Sequence, residues 1–407
     1  MENPKKIAVI GAGAAGYFAA ISAAQHHPNA QVELFEKTDK VLGKVKISGG
    51  GRCNVMHHCF DIDALLTAYP RGGKKLKGIF YQFGPQQTHD WFEQNGVALK
   101  TEKDGRMFPS TNSSQTIVDL LMNTAQNAGV VLHKQSHVTQ LLPNGDHAWQ
   151  IRFATQATMT VDYVIVTTGG SPKKKGLDWL AQLDHKIVPP VPSLFTFNMP
   201  NEKITALKGV VASHAQVQIV GTKIATQGPL LVTHWGMSGP AILKASSLGA
   251  RWLAEQDYTF TIRVRWNDRY NHNAWLNLLQ ESAKKHAQKQ LGNHNPSELP
   301  QRLWIYLLER MGLSTHRRWS ELGQKNIHRL IDVLTNDTYA VLGKTTFKEE
   351  FVTCGGVALN NIDLQSMCSK IHPRLYFAGE VLDIDAITGG YNFQAAWSSG
   401  FVAGKLQ

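Results

Sequence analysis

The sequence predicts an α/β fold, a parallel-sheet domain interrupted late in the chain by a β-rich insertion and a small helical segment. Three observations predict it. An apolar strand, a glycine turn and an Ala-rich helix occupy residues 6–25 and run straight into a second strand at 31–36, the opening of a βαβ unit. Pro189, Pro190 and Pro192 then mark a boundary, beyond which short alternating segments to about residue 268 give way to helical spacing over 272–336. Strand-like stretches at 351–357 and 375–380, followed by a glycine turn and a last helix, return the chain to the sheet. The division expected is 1–190 with 345–407 for the discontinuous sheet domain, 191–270 for the β-rich insertion and 271–344 for the helical subdomain.

In the first unit, Gly11, Gly13 and Gly16 stand at G-x-G-x-x-G spacing around Ala14 and Ala15. Gly11 makes the turn, Gly13 offers bare backbone to a pyrophosphate, and Gly16 lets the helix lie close on the strand. The negative charge of a dinucleotide then meets a helix N-terminus. Glu36, twenty residues after Gly16 and next to Lys37, closes the second strand where a carboxylate holds ribose hydroxyls. Lys5 and Lys6 before an apolar run also resemble a secretory leader, but such a leader has no use for the spaced glycines or for Glu36. No further run of eighteen apolar residues follows, so a soluble, cytoplasmic protein is expected.

The next stretch is a loop in which Lys44 and Lys46 precede Ser48, Gly49, Gly50, Gly51, Arg52, Cys53 and Asn54. Three successive glycines flanked by these residues present backbone N–H groups and a guanidinium to whatever occupies the site. A basic run from Arg71 to Lys77 stands beside Tyr69. A hairpin over 97–109 turning at Asp104-Gly105 and a helix capped by Ser113 or Ser114 and running to about 127 come next. After strands near 130–133, 137–142 and 148–153, an apolar strand from 161 ends in Thr167, Thr168, Gly169 and Gly170, suited to turning beneath a bound nucleotide. Lys173, Lys174 and Lys175 follow it.

Within the insertion, Ser238 reads as a helix N-cap with Pro240 at the helix start, and His234 as a proton donor or a hydrogen-bonded structural histidine. Trp275, Leu276, Leu278, Leu279, Leu303, Tyr306 and Leu307 form a helical stripe that reads as core. Near the end, Gly389, Gly390, Tyr391 and Asn392 open the final helix, a second place where a helix dipole meets negative charge. Residues 165–345 hold no second G-x-G-x-x-G. One dinucleotide is held, and a nicotinamide donor would visit only transiently.

Composition narrows the function. An apolar content of 43% with 18% charged residues over 407 residues fits a globular enzyme rather than a disordered chain. A net charge of +11 points to a polyanionic partner. Cys53, Cys59, Cys354 and Cys368 form no C-x-x-C pair and no Cys/His metal spacing, so no disulfide framework, metal site or dithiol centre is expected.

Taken in order, these pieces resemble the YhiN/BaiN-like bacterial FAD-dependent oxidoreductases, a branch of the two-dinucleotide-binding-domain flavoproteins. The resemblance rests on the Gly11/Gly13/Gly16 fingerprint with Glu36, on residues 48–54, 104–109, 233–240 and 353–357, and on Gly379-Glu380 with residues 389–394. It implies a glutathione-reductase-like, Rossmann-like domain holding FAD through the fingerprint, Glu36, the 48–54 loop and the segment carrying Gly379, Glu380, Gly389, Gly390, Tyr391, Asn392 and Phe393. With no dithiol or metal, the flavin itself carries hydride transfer, with NAD(P)H as electron donor. Asn392 and the backbone near Gly390 would stabilise the anionic reduced ring, and Cys354 and His234 are the candidate proton donors. One branch of the family is linked to reduction of a ribosomal RNA uridine to dihydrouridine, another to bile-acid double bonds. The charge favours the first, with the 71–77 and 173–175 runs and Arg263, Arg265, Arg317 and Arg318 holding phosphates. The alternatives are a reductase of a small enoate or steroid-like molecule and a non-catalytic, flavin-containing RNA- or ribosome-binding protein.

Overall fold

The computed structural model describes residues 4–145, 148–345 and 352–407, and divides the chain into two units, Met1–Ser193 with Phe347–Gln407, and Leu194–Thr346. Phe351, expected to begin a strand, lies outside the described residues.

The first unit is built on a five-stranded parallel sheet in the order Leu375–Phe377, Tyr163–Val166, Lys6–Ile10, Gln31–Phe35, Val131–His133. Its central strands are buried on both faces, which is why they read as unbroken apolar runs rather than alternating ones. The helix Ala14–His26 crosses between the first two strands and packs along the C-terminal helix Tyr391–Gly404. That contact is close because Gly400 and Gly404 face it: a Cβ on either would come within 2.5 Å of the backbone oxygens of Ala15 and Ala19. Two small antiparallel sheets flank this core, one from Met56–His57, Arg106–Pro109 and Leu99–Thr101, the other from Val138–Asn144, Ala148–Phe153 and Met159–Val161.

The second unit wraps a seven-stranded sheet with helices Pro240–Leu248, His272–Lys285, Gln301–Arg310 and Gly323–Asn336. Strict alternation along Thr259–Arg265 and Asp337–Leu342 buries one face of this sheet. The two regions that the sequence separates, β-rich and helical, share one hydrophobic core here: Phe197, Val217 and Ile262 from the strands lie in the same cluster as Trp275, Trp304, Leu307 and Ile331 from the helices. Of the predicted helical stripe, Trp275, Leu279, Leu303 and Leu307 are buried, whereas Leu276, Leu278 and Tyr306 pack at its margin.

Three local expectations are corrected. The prolines at 189, 190 and 192 lie inside a strand, Ile187–Ser193, paired antiparallel with Val352–Val357, and the unit boundary falls after Ser193. A two-stranded ribbon tolerates them because the register shifts between Val188 and Val191, where Pro189 and Pro190 sit, so their missing N–H groups leave no gap in a wider ladder. Ser238 ends the short strand Gly236–Ser238, and the helix cap is Gly239 with Pro240 at the first helical position. The strand expected from 161 breaks at Asp162, whose carboxylate accepts the Lys6 N–H at 2.7 Å; Met159–Val161 and Tyr163–Val166 belong to different sheets.

Candidate functional site

At the tip of the first strand the three fingerprint glycines do three different things. Gly11 takes φ +109° and donates its N–H to the Phe35 carbonyl at 2.7 Å, and a Cβ there would stand 2.6 Å from the Thr167 carbonyl oxygen. A Cβ on Gly16 would lie 1.9 Å from the Gly11 oxygen, so only glycine lets the helix approach. Gly13 has nothing within 4 Å of where its Cβ would be and caps the helix, whose first intrahelical bond runs from Tyr17 N–H to the Gly13 carbonyl at 3.0 Å. The N–H groups of Ala14, Ala15 and Gly16 therefore point out of the helix end toward open space. Glu36 reaches back to this turn and accepts the Ala12 N–H at 3.1 Å and the Thr38 N–H at 3.0 Å, while Lys37 stands exposed beside it.

Residues 43–54 begin as a helical turn and break at Ser48, after which Gly49, Gly50 and Gly51 all take positive φ. Gly49 packs where a Cβ would be 2.8 Å from Phe108, whereas Gly50 and Gly51 face open space. The Ser48 carbonyl accepts the Cys53 N–H at 2.9 Å and closes the loop. Two of the cations expected to point at a ligand are paired with carboxylates of the protein. Arg52 pairs with Glu102 at 2.6 Å and lies 4.0 Å over the Phe108 ring, and Lys44 pairs with Glu380 at 2.7 Å. Cys53 is fully buried and burial pushes its thiol up to about 12, so its part is its backbone at φ +60°. Asn54 ties the loop to the far segment: its amide donates to the Met56 and Met107 carbonyls at 3.1 and 3.2 Å and accepts the Gly390 N–H at 3.0 Å.

The sheet strand ending at Val166 continues into Thr167, whose hydroxyl donates to the carbonyls of Ile10 and Gly11 at 3.0 and 2.8 Å. Thr168 is exposed and Gly169, at φ +74°, opens onto empty space. Gly170 is wedged, since a Cβ there would be 2.3 Å from Thr353 Oγ1 and 2.5 Å from Glu380 Oε1. That Thr353 hydroxyl is buried and has no hydrogen-bond partner among the described residues, although its N–H donates to Glu380 at 2.8 Å. Gly379, at φ +76°, donates to Ser399 at 2.9 Å and lies where a Cβ would touch Ala15. Gly390 must be glycine for space as well as conformation, its Cβ position being 2.5 Å from the Met56 backbone.

Asn392, expected to face the ring of a bound flavin, instead staples its own loop: its amide accepts the Ala386 N–H at 2.9 Å and donates to the Ala386 carbonyl at 3.1 Å. What the start of this helix presents is backbone, because its first internal bond runs from Gln394 to Gly390 and the N–H groups of Tyr391, Asn392 and Phe393 have no helical acceptor. The Tyr391 ring stacks on His57 at 4.6 Å, and burial, then the nearby Cys59, pushes its phenol up to about 12. Phe393 stacks on Trp397 at 5.4 Å, on the core side.

This cradle fits a dinucleotide. Gly13, Gly50, Gly51 and Gly169 leave bare backbone facing empty space, two helix N-termini carry unspent N–H groups, and the buried Thr353 hydroxyl lacks a partner among the described residues. All of these residues belong to the first unit. The two proton donors expected from sequence are not brought together in that way. The Cys354 thiol is fully buried, with no surface to present to a substrate, because its strand is covered on both faces. His234 is exposed in the second unit, between strands Ala225–Val232 and Gly236–Ser238, edge-on to Trp235 at 4.2 Å. Sequence reading missed His57, whose Nδ1 lies 3.1 Å from the Gly389 carbonyl. Tyr69, expected as the aromatic of a basic surface run, is instead buried, and its hydroxyl donates to the Tyr391 carbonyl at 2.7 Å. Only the position of His57 three residues after the conspicuous Arg-Cys-Asn hinted at it.

The chain is similar to known proteins over nearly its whole length. Over 406 residues, covering 98% of this chain and 96% of that protein, the sequence is 29% identical to the ribosomal RNA dihydrouridine synthase of Escherichia coli K12. It is 24% identical over 420 residues, covering 98% of each, to the 3-dehydro-bile acid delta(4,6)-reductase of Clostridium scindens. The crystal structure of the 3-ketosteroid delta1-dehydrogenase from Sterolibacterium denitrificans shares the fold, with a TM-score of 0.52 at 12% identity over 99% of both chains. The profile of the HI0933-like protein Rossmann domain matches residues 5–406, and with a match that runs nearly the whole length, the chain belongs to this family of Rossmann-type, FAD-dependent oxidoreductases.

Proposed function

We propose that the protein reduces the C5–C6 double bond of a uracil base in ribosomal RNA, giving dihydrouridine, with NAD(P)H as the ultimate donor and the cytoplasm as its place of action. The observation that carries this reading is the two-way, nearly complete match to the ribosomal RNA dihydrouridine synthase of Escherichia coli. The net charge of +11 supports it, since a polyanionic substrate rewards such a surface. The reaction adds a hydride to one carbon of the base and a proton to its neighbour, and oxidises one NAD(P)H. Bound FAD supplies the hydride chemistry. The chain's own residues would do the rest: the N–H groups of Ala14 to Gly16 would hold the pyrophosphate, Glu36 the ribose, and the N–H groups at the start of the Tyr391–Gly404 helix would stabilise negative charge on the ring system. His57, held against Tyr391 and the Gly389 carbonyl, lies beside that helix start.

A second reading, reduction of a small unsaturated molecule, is favoured by the match to the bile-acid reductase over 98% of both chains. Deleting the gene and mapping dihydrouridine across the ribosomal RNA separates the two. Loss of one dihydrouridine, restored by a plasmid copy, is expected. An unchanged map, together with no salt-sensitive binding of the purified protein to ribosomal RNA, leaves the small-molecule reading in its place.

A further inference from the structure

The first unit carries a cleft of about 380 Å³ between the 71–75 turn, the start of the Pro-rich strand at Lys186 and Val188, and the turn at 358–360. Its charges are arranged unequally. Arg71 forms a two-pronged pair with the buried Asp385 and also faces Asp383, so its charge is already matched. Lys74, Lys75 and Lys186 are exposed, and among the described residues no carboxylate pairs with any of them. They are also held in place. Lys75 Nζ donates to Asn360 at 2.7 Å, and the Lys186 N–H donates to Asn361 at 2.9 Å, so two consecutive asparagines fix the lysine-bearing segments on either side. The rest of the wall is aliphatic, Val188, Ala358 and Leu359, and no aromatic ring lines it.

From this geometry we infer that the cleft seats the phosphodiester backbone of the RNA substrate, through Lys74, Lys75 and Lys186. The inference rests on the ribosomal RNA reading and names the surface that serves it. Three ammonium groups on two chain segments suit consecutive phosphates, whereas the lack of a stacking ring makes the cleft unable to read bases; it positions and does not select. The cleft is also within reach of the cradle. Asp383 on its wall and Gly390 in the cradle are seven residues apart, so their Cα atoms lie at most about 25 Å from each other. A strand gripped at the cleft can therefore deliver a base turned out of its stack a few nucleotides further on.

The test compares the flavin-loaded protein with its Lys74→Gln/Lys75→Gln/Lys186→Gln variant, using an unmodified ribosomal RNA transcript and titrating affinity against salt. Each phosphate contact contributes roughly 0.7–0.9 to the slope of log K against log salt, so the variant's slope is expected to fall by about 2–3. Its flavin content and its NADPH oxidation with an artificial acceptor should match the parent. If the parent binds with a steep slope and the variant keeps it, the cleft is not the seat, while the RNA reading stands. A variant that binds RNA normally but shows a raised KM for NADPH assigns the cleft to the nucleotide's phosphate and overturns the inference. Absence of RNA binding by the parent, with an unchanged dihydrouridine map, removes both.

Discussion

Gly13 and Gly16 sit three residues apart in one turn and answer to different constraints. At Gly16 the obstacle is the protein itself, with the Gly11 oxygen 1.9 Å from any added Cβ, so Gly16→Ala must push the helix off the strand. A loss of about 1–3 kcal/mol of apoprotein stability is expected, as for other overpacked sites, and thermal unfolding measures it. At Gly13 nothing stands within 4 Å and φ is −93°, which alanine adopts freely. Gly13→Ala should therefore cost the apoprotein no more than about 1 kcal/mol, the difference between Gly and Ala as a helix cap. Its methyl nevertheless occupies the approach of the pyrophosphate, and FAD affinity should drop at least tenfold, read by fluorescence titration. Equal FAD affinity in Gly13→Ala and parent would falsify the placement of the pyrophosphate at this turn.

Between elements, an ion pair joins the 71–75 turn to the segment before the last helix. Asp385 is fully buried, accepts from Arg71 and from Ser193 at 2.7 Å, and so also reaches the Pro-rich strand. Removing the guanidinium by Arg71→Met strands a buried carboxylate, at a cost of about 3–5 kcal/mol, whereas Arg71→Met/Asp385→Leu should recover most of that loss. The sign of the pH dependence follows from the carboxyl. Burial, only partly offset by Arg71, raises it above its ordinary value, so the protonated form is the one that folding favours. Stability from that proton is fully present below the unfolded value near 3.9 and is lost as pH rises through the folded one. The deficit of Arg71→Met relative to the parent should thus be largest at pH 7 and shrink on acidification toward pH 4. Denaturant midpoints across that range check it, and a deficit independent of pH would show that Asp385 is not the group left unpaired.

For the molecule as a whole, the second unit is an insertion at one point of the first. Ser193 pairs with Val352 at the end of one ribbon, and Thr196 pairs with Thr345 where the inserted sheet begins and ends. Each unit has its own apolar cluster. Every residue assigned to the FAD cradle lies in the first unit. Replacing 194–346 by a turn of about 4–6 residues is therefore expected to leave a folded, yellow protein that releases free FAD on acid denaturation. A colourless product that FAD cannot reconstitute would mean that the insertion supplies part of the cradle. No helix among the described residues is long and apolar enough to cross a membrane.

What the sequence determined by itself was the local backbone: the strand, turn and helix at 6–25, the acid closing the second strand, the glycine break after Ser48, and the glycine-led start of the last helix. These follow from short-range rules, because a missing Cβ or a run of apolar residues acts within a few positions of itself. Family-wide motifs of this kind also made the flavoprotein class legible. Tertiary structure alone decided where the side chains of that site spend their charge. Arg52 turns to Glu102, fifty residues on, and Lys44 to Glu380, 336 residues on, so neither is the cation that its place in the loop suggests. Cys354 vanishes into a buried strand, and a Pro-rich stretch that reads as a boundary becomes half of a ribbon. The physical reason is the same in each case: a polar or ionic partner is chosen by distance in space and by the cost of leaving a charge unmatched, and neither quantity is written in the spacing of residues along the chain.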